Sequence, residues 1–490
     1  MSMGQLLASG AAAVFNPGMF LMVCVAIILG TIFGALPGVS ATMAVALGLT
    51  FTYTMEPIPA IVFLVAIYCS SITGGSITAI LFKIPGVPSS APTTFDGYPM
   101  AQRGEAGKAL GVALLASAIG GLFSAIAMFL LSQPLTKAAL QFGPSDLFAV
   151  TFMGLSILTC LDSDHILTCI ISGLLGLLMA CVGQDKMYAV QRLTFGSRNL
   201  LAGIDMIPVL IGLFAVTEVF KQTDPKKKRL SAEDGISGGR VSTKMPSFKE
   251  IWSIKWTMRC SVIGTIVGIL PGAGATIASF MCYTMETKLS KHPEKFGTGI
   301  IDGIAASEAS NNAATGGAMV PLLSLGIPGG NAAAVMMSAL TLKGVQLGPL
   351  LLTNQPTYLS ATFMSMIVTN VLMVVVAMAI AKVFAQILAI PYSYLGPIIL
   401  MLALIGTYGD QMSATSVQIM VLAGILGLVV RACHLNSAAI VLGLVLGNMC
   451  EQNFSRGYLM ARANVFQMFN PTLHPIAFVL IIVCIVLLVS

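Results

Sequence analysis

The chain reads as a succession of long apolar blocks separated by short polar joints. A helix that crosses the hydrocarbon core of a bilayer needs about 20 mostly apolar residues. Blocks of this kind lie near 18–36, 59–83, 107–132, 145–161, 165–183, 202–220, 257–282, 313–326, 331–352, 360–390, 394–408, 413–431, 435–450 and 473–490. Several are too short to cross alone, and others carry a Pro-Gly pair. The pattern predicts an all-α polytopic membrane protein of about 12 transmembrane helices, with re-entrant or broken segments besides.

One long polar stretch, 221–255, interrupts the blocks. It holds Lys226, Lys227, Lys228, Arg229 and several further basic residues, so the positive-inside rule places it in the cytoplasm. It divides the chain into a first membrane repeat, 1–220, and a second, 256–490. The segment Gly30-Thr-Ile-Phe-Gly34-Ala-Leu-Pro37-Gly38 recurs as Gly264-Thr-Ile-Val-Gly268-Ile-Leu-Pro271-Gly272, with Pro271 234 residues after Pro37. Gly74-Gly75 before Ile84-Pro85-Gly86 is matched, one residue out of step, by Gly316-Gly317 before Ile327-Pro328-Gly329. Gly173-Leu-Leu-Gly176 returns as Gly424-Ile-Leu-Gly427. Three matches in the same order imply a duplication, and interrupted helices at corresponding places in two halves are the pattern of secondary transporters. Hydropathy does not distinguish inverted from parallel repeats; the inverted form is the expectation. The loop 288–295 is also basic (Lys288, Lys291, Lys295). If it too is cytoplasmic, 257–287 enters and leaves on one side and Leu270-Pro271-Gly272 is a hairpin tip.

Composition agrees with lipid contact. The chain is 56% hydrophobic and 9% charged, against about 25% charged in soluble domains. Its net charge of +6 is carried in loops and is no nucleic-acid signal. The ten cysteines are scattered and no two of the four histidines stand four apart, so no metal centre is expected. Residues 1–82 contain no Lys or Arg, which argues against a signal-peptide start. There is no G-x-x-x-x-G-K-[ST] loop for ATP and no H-E-x-x-H, so neither an ATPase nor a metalloenzyme is expected, and no cofactor.

The chemistry is expected at the four breaks. A Pro-Gly pair inside a membrane removes a donor and frees the backbone. The half-helix beyond it then presents free amides and a partial positive charge, an anion site that needs no charged side chain. Small polar residues follow each break. Gly38, Ser40, Gly86, Ser89, Ser90, Thr93, Gly272, Gly329 and Asn331 are the candidates for binding substrate. Thr42, Thr276, Asn311, Asn312 and Thr315 are the candidates for holding a cation at unwound backbone. Glu308 is an ionisable residue beside an apolar block; it either carries a proton or cation, or sits in water at the interface. Lys83 either meets a substrate carboxylate or snorkels to the headgroups. Asp96, in Phe-Asp-Gly-Tyr-Pro, reads as a turn cap, and Asp162 and Asp164 as loop residues.

These segments carry a resemblance. Gly74-Gly75-Ser-Ile-Thr-Ala-Ile-Leu, Ile84-Pro85-Gly86 and Asp96-Gly-Tyr-Pro-Met-Ala in the first half resemble the TctA family, the large membrane subunit of tripartite tricarboxylate transporters. So do Glu308-Ala-x-Asn311-Asn312-Ala and Leu325-Gly-Ile-Pro-Gly329 in the second, and the likeness spans essentially the whole chain. It implies a multi-pass protein of the bacterial inner membrane, a small membrane partner of the TctB type and a periplasmic solute-binding protein of the TctC type. It further implies a carboxylate substrate, with citrate as eponym, and a Na+ or H+ gradient as the energy source. A stand-alone carboxylate carrier and a channel are the rival readings; a channel would need a continuous polar lining or a ring of charges.

Overall fold

The computed structural model describes residues 3–36, 39–157, 166–185, 187–222, 246–253, 258–270, 274–387 and 392–489. The linker 223–245, the tips Pro37-Gly38 and Pro271-Gly272-Ala273, and Asp162 and Asp164 lie outside them. Helices dominate. The only strands among the described residues are two-residue β1 (Gly183–Gln184) and β2 (Gln191–Arg192), paired antiparallel.

The first half begins with α1 (Met3–Val14) and α2 (Pro17–Ala35). Asn16 caps α2 by accepting the Met19 N–H at 2.9 Å, and Pro17 sits in the first turn, where its missing N–H costs nothing. After the first Pro-Gly pair comes α3 (Ala41–Thr52), then α4 (Pro57–Phe82), a 3-10 turn (Pro88–Ser90), α5 (Thr93–Gln102) and α6 (Ala106–Ala139). α7 (Pro144–Ile157), α8 (Ile166–Ala180), α9 (Met206–Leu210), a π-helical stretch (Ile211–Val216) and α10 (Thr217–Gln222) complete it. The second half runs through α11 (Phe248–Ser253), α12 (Arg259–Ile269), α13 (Gly274–Leu289), α14 (Ile301–Leu325) and α15 (Asn331–Leu342). It continues with α16 (Leu351–Asn354), α17 (Pro356–Ile387), α18 (Tyr392–Gln411), α19 (Ala414–Ala432), α20 (Ser437–Met460), α21 (Val465–Met468) and α22 (Pro475–Val489). Among the described residues five helices are long and apolar enough to cross a bilayer: Pro17–Ala35, Pro57–Phe82, Ala106–Ala138, Pro356–Ile380 and Ala414–Ala432. The chain is a helical membrane protein.

α4 and α14 form the centre, and neither has any exposed residue between its end turns. They cross antiparallel, since Cys69 meets Thr315 while Thr73 meets Asn312. Each is flanked by a helical hairpin. Gly30 and Gly34 of α2 lie backbone-to-backbone on Ile67 and Ser71 of α4, so α2 runs parallel to α4. α3 returns antiparallel, with Gly48 against Leu64 and Ile67. In the second half Gly264 and Gly268 of α12 lie on Ser310 and Ala314 of α14, and α13 returns with Tyr283 beside Gly303. Arg259 at the start of α12 pairs with Glu286 near the end of α13 at 3.0 Å, so both open ends of this hairpin lie together. The block 257–282 is therefore two helices that double back. Because α4 and α14 are antiparallel, the two hairpins approach from opposite ends.

Small residues allow this closeness. In lipid, helices associate through packing rather than hydrophobic burial, and glycines let backbones touch. The contacts correspond one by one: Gly74 meets the Thr31 carbonyl and Gly317 the Thr265 carbonyl; Gly86 meets Gly75 and Gly34, and Gly329 meets Ala318 and Gly268. Gly74 therefore corresponds to Gly317, not Gly316, and the apparent one-residue slip in the sequence match disappears. Around this centre α6 packs on α14 and α17 on α4, while α3 touches α15 and α13 touches the 3-10 turn. α20 packs on α7 and α8, and α19 on the π-helical stretch. α11 is tied to α6 by Lys108–Glu250 at 2.5 Å. Lys108 and the Ser247 donors hold the half-buried Glu250 carboxyl down at about 2.

Candidate functional site

The two central helices stop in the same way. Lys83 (φ 58°) and Gly326 (φ 72°) are both left-handed caps. The next N–H reaches back six residues, Ile84 to the Thr78 carbonyl at 3.4 Å and Ile327 to the Pro321 carbonyl at 3.2 Å. Pro85 and Pro328 then forbid continuation.

At the first break lies a cavity of about 420 Å³. It is lined by Val39, Ser40, Pro85, Gly86 and Pro88 from the first break and by Leu213, Phe214, Thr217, Gly427, Arg431, Leu435 and Ser437. Two helix N-termini converge here. Ser40 caps α3, its Oγ accepting the Met43 N–H at 3.1 Å, and Ser437 opens α20. Arg431, in the last turn of α19, adds a full positive charge, and no acidic side chain is in the lining. Two helix N-termini and one guanidinium, with no acidic residue in the lining, suit an anion, although the C-terminal end of α19 beside Arg431 offsets part of the positive charge. Thr217 is spoken for, since its hydroxyl donates to the carbonyls of Gly212 at 3.0 Å and Gly424 at 3.1 Å.

A second polar feature runs along the centre. Glu308 is fully buried; Oε1 accepts from Thr93 Oγ1 at 2.5 Å, and Oε2 from Ser117 Oγ at 3.1 Å and Asn311 Nδ2 at 3.2 Å. Asn312 Nδ2 donates to Asn311 Oδ1 at 3.0 Å, and Thr73 Oγ1 donates to Asn312 Oδ1 at 3.1 Å. Thr315 donates to the Asn312 carbonyl at 2.6 Å. Every member is fully buried. The site is thus assembled across the halves: Thr93 and Ser117 from the first, Glu308 and the asparagines from the second.

The expected residues separate accordingly. Ser40 and Gly86 line the cavity. The Gly86 N–H, however, donates to the Gly75 carbonyl at 3.2 Å, so this glycine serves close packing rather than a free amide. Ser89 and Ser90 are buried with hydroxyls that have no partner among the described residues, as is Asn331 Oδ1 at the start of α15. Thr93, Asn311, Asn312 and Thr315 join Glu308 in the buried chain. Thr42 and Thr276 stand apart on α3 and α13, and Gly329 packs on α14 and α12. Gly38 and Gly272 lie outside the described residues. Of the two readings of Glu308, its burial fits the one away from interfacial water. Lys83 is exposed, as a snorkelling lysine would be, and is not in the lining of this cavity; its Nζ lies 5.7 Å from the Tyr98 ring centre.

Asp96 does cap a turn, and at a distance. Its carboxylate accepts the N–H groups of Gly297, Gly299 and Ile300 at 2.8–3.0 Å and the Tyr283 hydroxyl at 2.9 Å. Arg103 holds the carbonyls of the same loop, Thr298 and Gly299. At the other end Lys343 holds the Tyr53 and Met55 carbonyls, each at 2.8 Å. Sequence reasoning missed Arg431. The signal was there, as the only charged residue in the block 413–431.

These features define a polytopic membrane protein with discontinuous helices around a cationic cavity. Residues 20–442 match the Tripartite tricarboxylate transporter TctA family, and the chain belongs to it. Two similar proteins come from Agrobacterium vitis. One, described as an uncharacterized 52.8 kDa protein in the TAR-I ttuC' 3' region, is 36% identical over 441 residues, 90% of this chain and 87% of the relative. The other, an uncharacterized protein in the TAR-II ttuC' 3' region, is 36% identical over 229 residues, 46% of this chain and 93% of the relative. No solved structure matches.

Proposed function

We propose that this chain is the translocating subunit of a tripartite secondary transporter that imports tricarboxylates or related small organic carboxylates across the bacterial inner membrane. A periplasmic solute-binding protein of the TctC type delivers the substrate, a small membrane subunit of the TctB type completes the complex, and a Na+ or H+ gradient supplies the energy. The observation that carries the reading is the cavity in which Arg431 and the N-termini of α3 and α20 converge with no acidic neighbour. The matched contacts of the halves support two inverted repeats, the architecture in which one broken set moves against a scaffold to alternate access.

The test is uptake of radiolabelled carboxylates into proteoliposomes holding the chain and its two partners. Uptake should follow an imposed cation gradient without ATP, and lapse when the binding protein is omitted. A hydrogen bond to a charged group contributes about 1.5–3 kcal/mol, so Arg431→Gln should raise the apparent KM roughly ten- to a hundredfold. An unchanged KM would remove Arg431 from the substrate site, and uptake on ATP with both gradients collapsed would remove the secondary-transport reading.

A further inference from the structure

The buried chain along α14 is separate from the cavity, and its chemistry is specific. Glu308 has no Lys or Arg within ion-pair distance among the described residues, yet it is fully buried. A carboxylate so placed is costly unless its lone pairs are met by donors. Here three donors meet them, and two are hydroxyls. A hydroxyl donates or accepts by rotation. With Glu308 ionised, Thr93, Ser117 and Asn311 all donate to it. With Glu308 neutral, its own O–H can donate to the Ser117 oxygen while the Ser117 proton turns to a carbonyl of the preceding turn of α6. The pocket satisfies both protonation states, which a purely structural carboxylate does not require.

A metal cation fits less well. The amide oxygens of Asn311 and Asn312 already accept from Asn312 and Thr73, and both residues lie inside the unbroken helix α14, whose carbonyls are not unwound. Of the other titratable groups on the surrounding helices, most are engaged with one another; Tyr68 of α4 is also buried, and Cys69 touches the far end of the buried chain. Asp96 of α5 and Tyr283 of α13 bond each other, and the Cys282 thiol is directed to the Cys260 carbonyl of α12. Cys69 of α4 lies beside Thr315, and Lys108 of α6 is paired with Glu250.

We infer that Glu308 is the proton-carrying group of this transporter: it takes up one proton from the side where substrate enters and releases it on the other, with Thr93 linking its protonation state to the first break. This rests on the transport reading and chooses H+ over Na+. Thr93 is the link because it opens α5, separated by two residues from the 3-10 turn Pro88–Ser90, which starts at the cavity-lining Pro88.

Two readouts test it. In proteoliposomes of the full complex with radiolabelled citrate, succinate and benzoate, an interior-alkaline pH gradient should drive accumulation by the wild type. Glu308→Gln, which is locked in the neutral shape, should lose accumulation at least tenfold yet keep substrate-for-substrate exchange. The second readout needs no substrate. Infrared pH-difference spectra of the purified wild type should show the C=O stretch of a carboxylic acid that is absent in Glu308→Gln. Glu308→Asp, which keeps an acid, should retain such a band. Gradient-driven accumulation that persists in Glu308→Gln, or a Na+ gradient that drives the wild type with no dependence on pH, overturns the proposal. A spectrum identical in wild type and all variants overturns it as well. A band that disappears with Glu308 in a protein that moves none of the three carboxylates would uphold the proton site and strike the carboxylate reading instead.

Discussion

A left-handed backbone at Lys83 costs about 1–2 kcal/mol relative to a glycine in the same place, and the second half has that glycine at Gly326. Lys83→Gly should therefore raise thermal stability in detergent by a few degrees while leaving uptake intact, since Lys83 reaches only the Tyr98 ring. A loss of uptake with normal yield would return Lys83 to the substrate path. Gly86 and Gly329 behave differently. A methyl at Gly86 would lie 2.2 Å from the Gly34 oxygen, and one at Gly329 2.6 Å from the Gly268 oxygen, backbone that cannot move aside. Gly86→Ala and Gly329→Ala should each destabilise by about 1–3 kcal/mol from overpacking. Gly330→Ala, where nothing lies within 4 Å, should not. Equal melting of all three would contradict the packing account. These residues show what the sequence made legible. The Pro-Gly pairs marked the breaks because proline and glycine act locally. It did not reveal that the Gly86 amide is consumed by the Gly75 carbonyl, nor that Arg431 shares a cavity with Ser40, because both depend on how the chain folds back on itself.

At the scale of elements, the block 313–326 proved to be only the second half of α14, which starts at Ile301. The polar run Glu308–Thr315 masked its beginning. Hydropathy prices each residue as if lipid surrounded it, whereas this run is enclosed by α4, α5, α6 and α12, of which the first three supply hydrogen bonds. The hairpin around 270–272 was legible from the charges at its base, and Arg259–Glu286 shows the physical closure. Glu286 is nearly buried and Arg259 is partly exposed, 7% and 40% of the side chains. Removing the arginine leaves a poorly solvated carboxylate, while removing the charge on the glutamate leaves an arginine that water can reach. Arg259→Ala should thus lower the melting temperature more than Glu286→Gln, and the double variant should recover part of the loss. A double variant worse than the sum of the two would mean that the pair does not close the hairpin.

The whole molecule is organised by the antiparallel crossing of α4 and α14, with a basic clamp at each end. Arg103 grips the loop before α14, and Lys343 grips the loop before α4. The Met55 carbonyl held by Lys343 and the Thr298 carbonyl held by Arg103 stand 243 residues apart, the same interval as Gly86 and Gly329. If the halves are inverted repeats, those two loops lie on opposite faces of the membrane. If the basic loop 288–295 is cytoplasmic, as the positive-inside rule predicts, the loop between α3 and α4 is periplasmic. Thr54 and Lys295 are both exposed and neither holds another element in place. In a background with the ten natural cysteines replaced, Thr54→Cys should react with a membrane-impermeant thiol reagent in intact cells. Lys295→Cys should react only after the membrane is opened. Reaction of both from the periplasm, or of neither, would place the two loops on one face; the hairpins would then enter from the same side, and the two-sided alternation proposed for the breaks would have no structural basis.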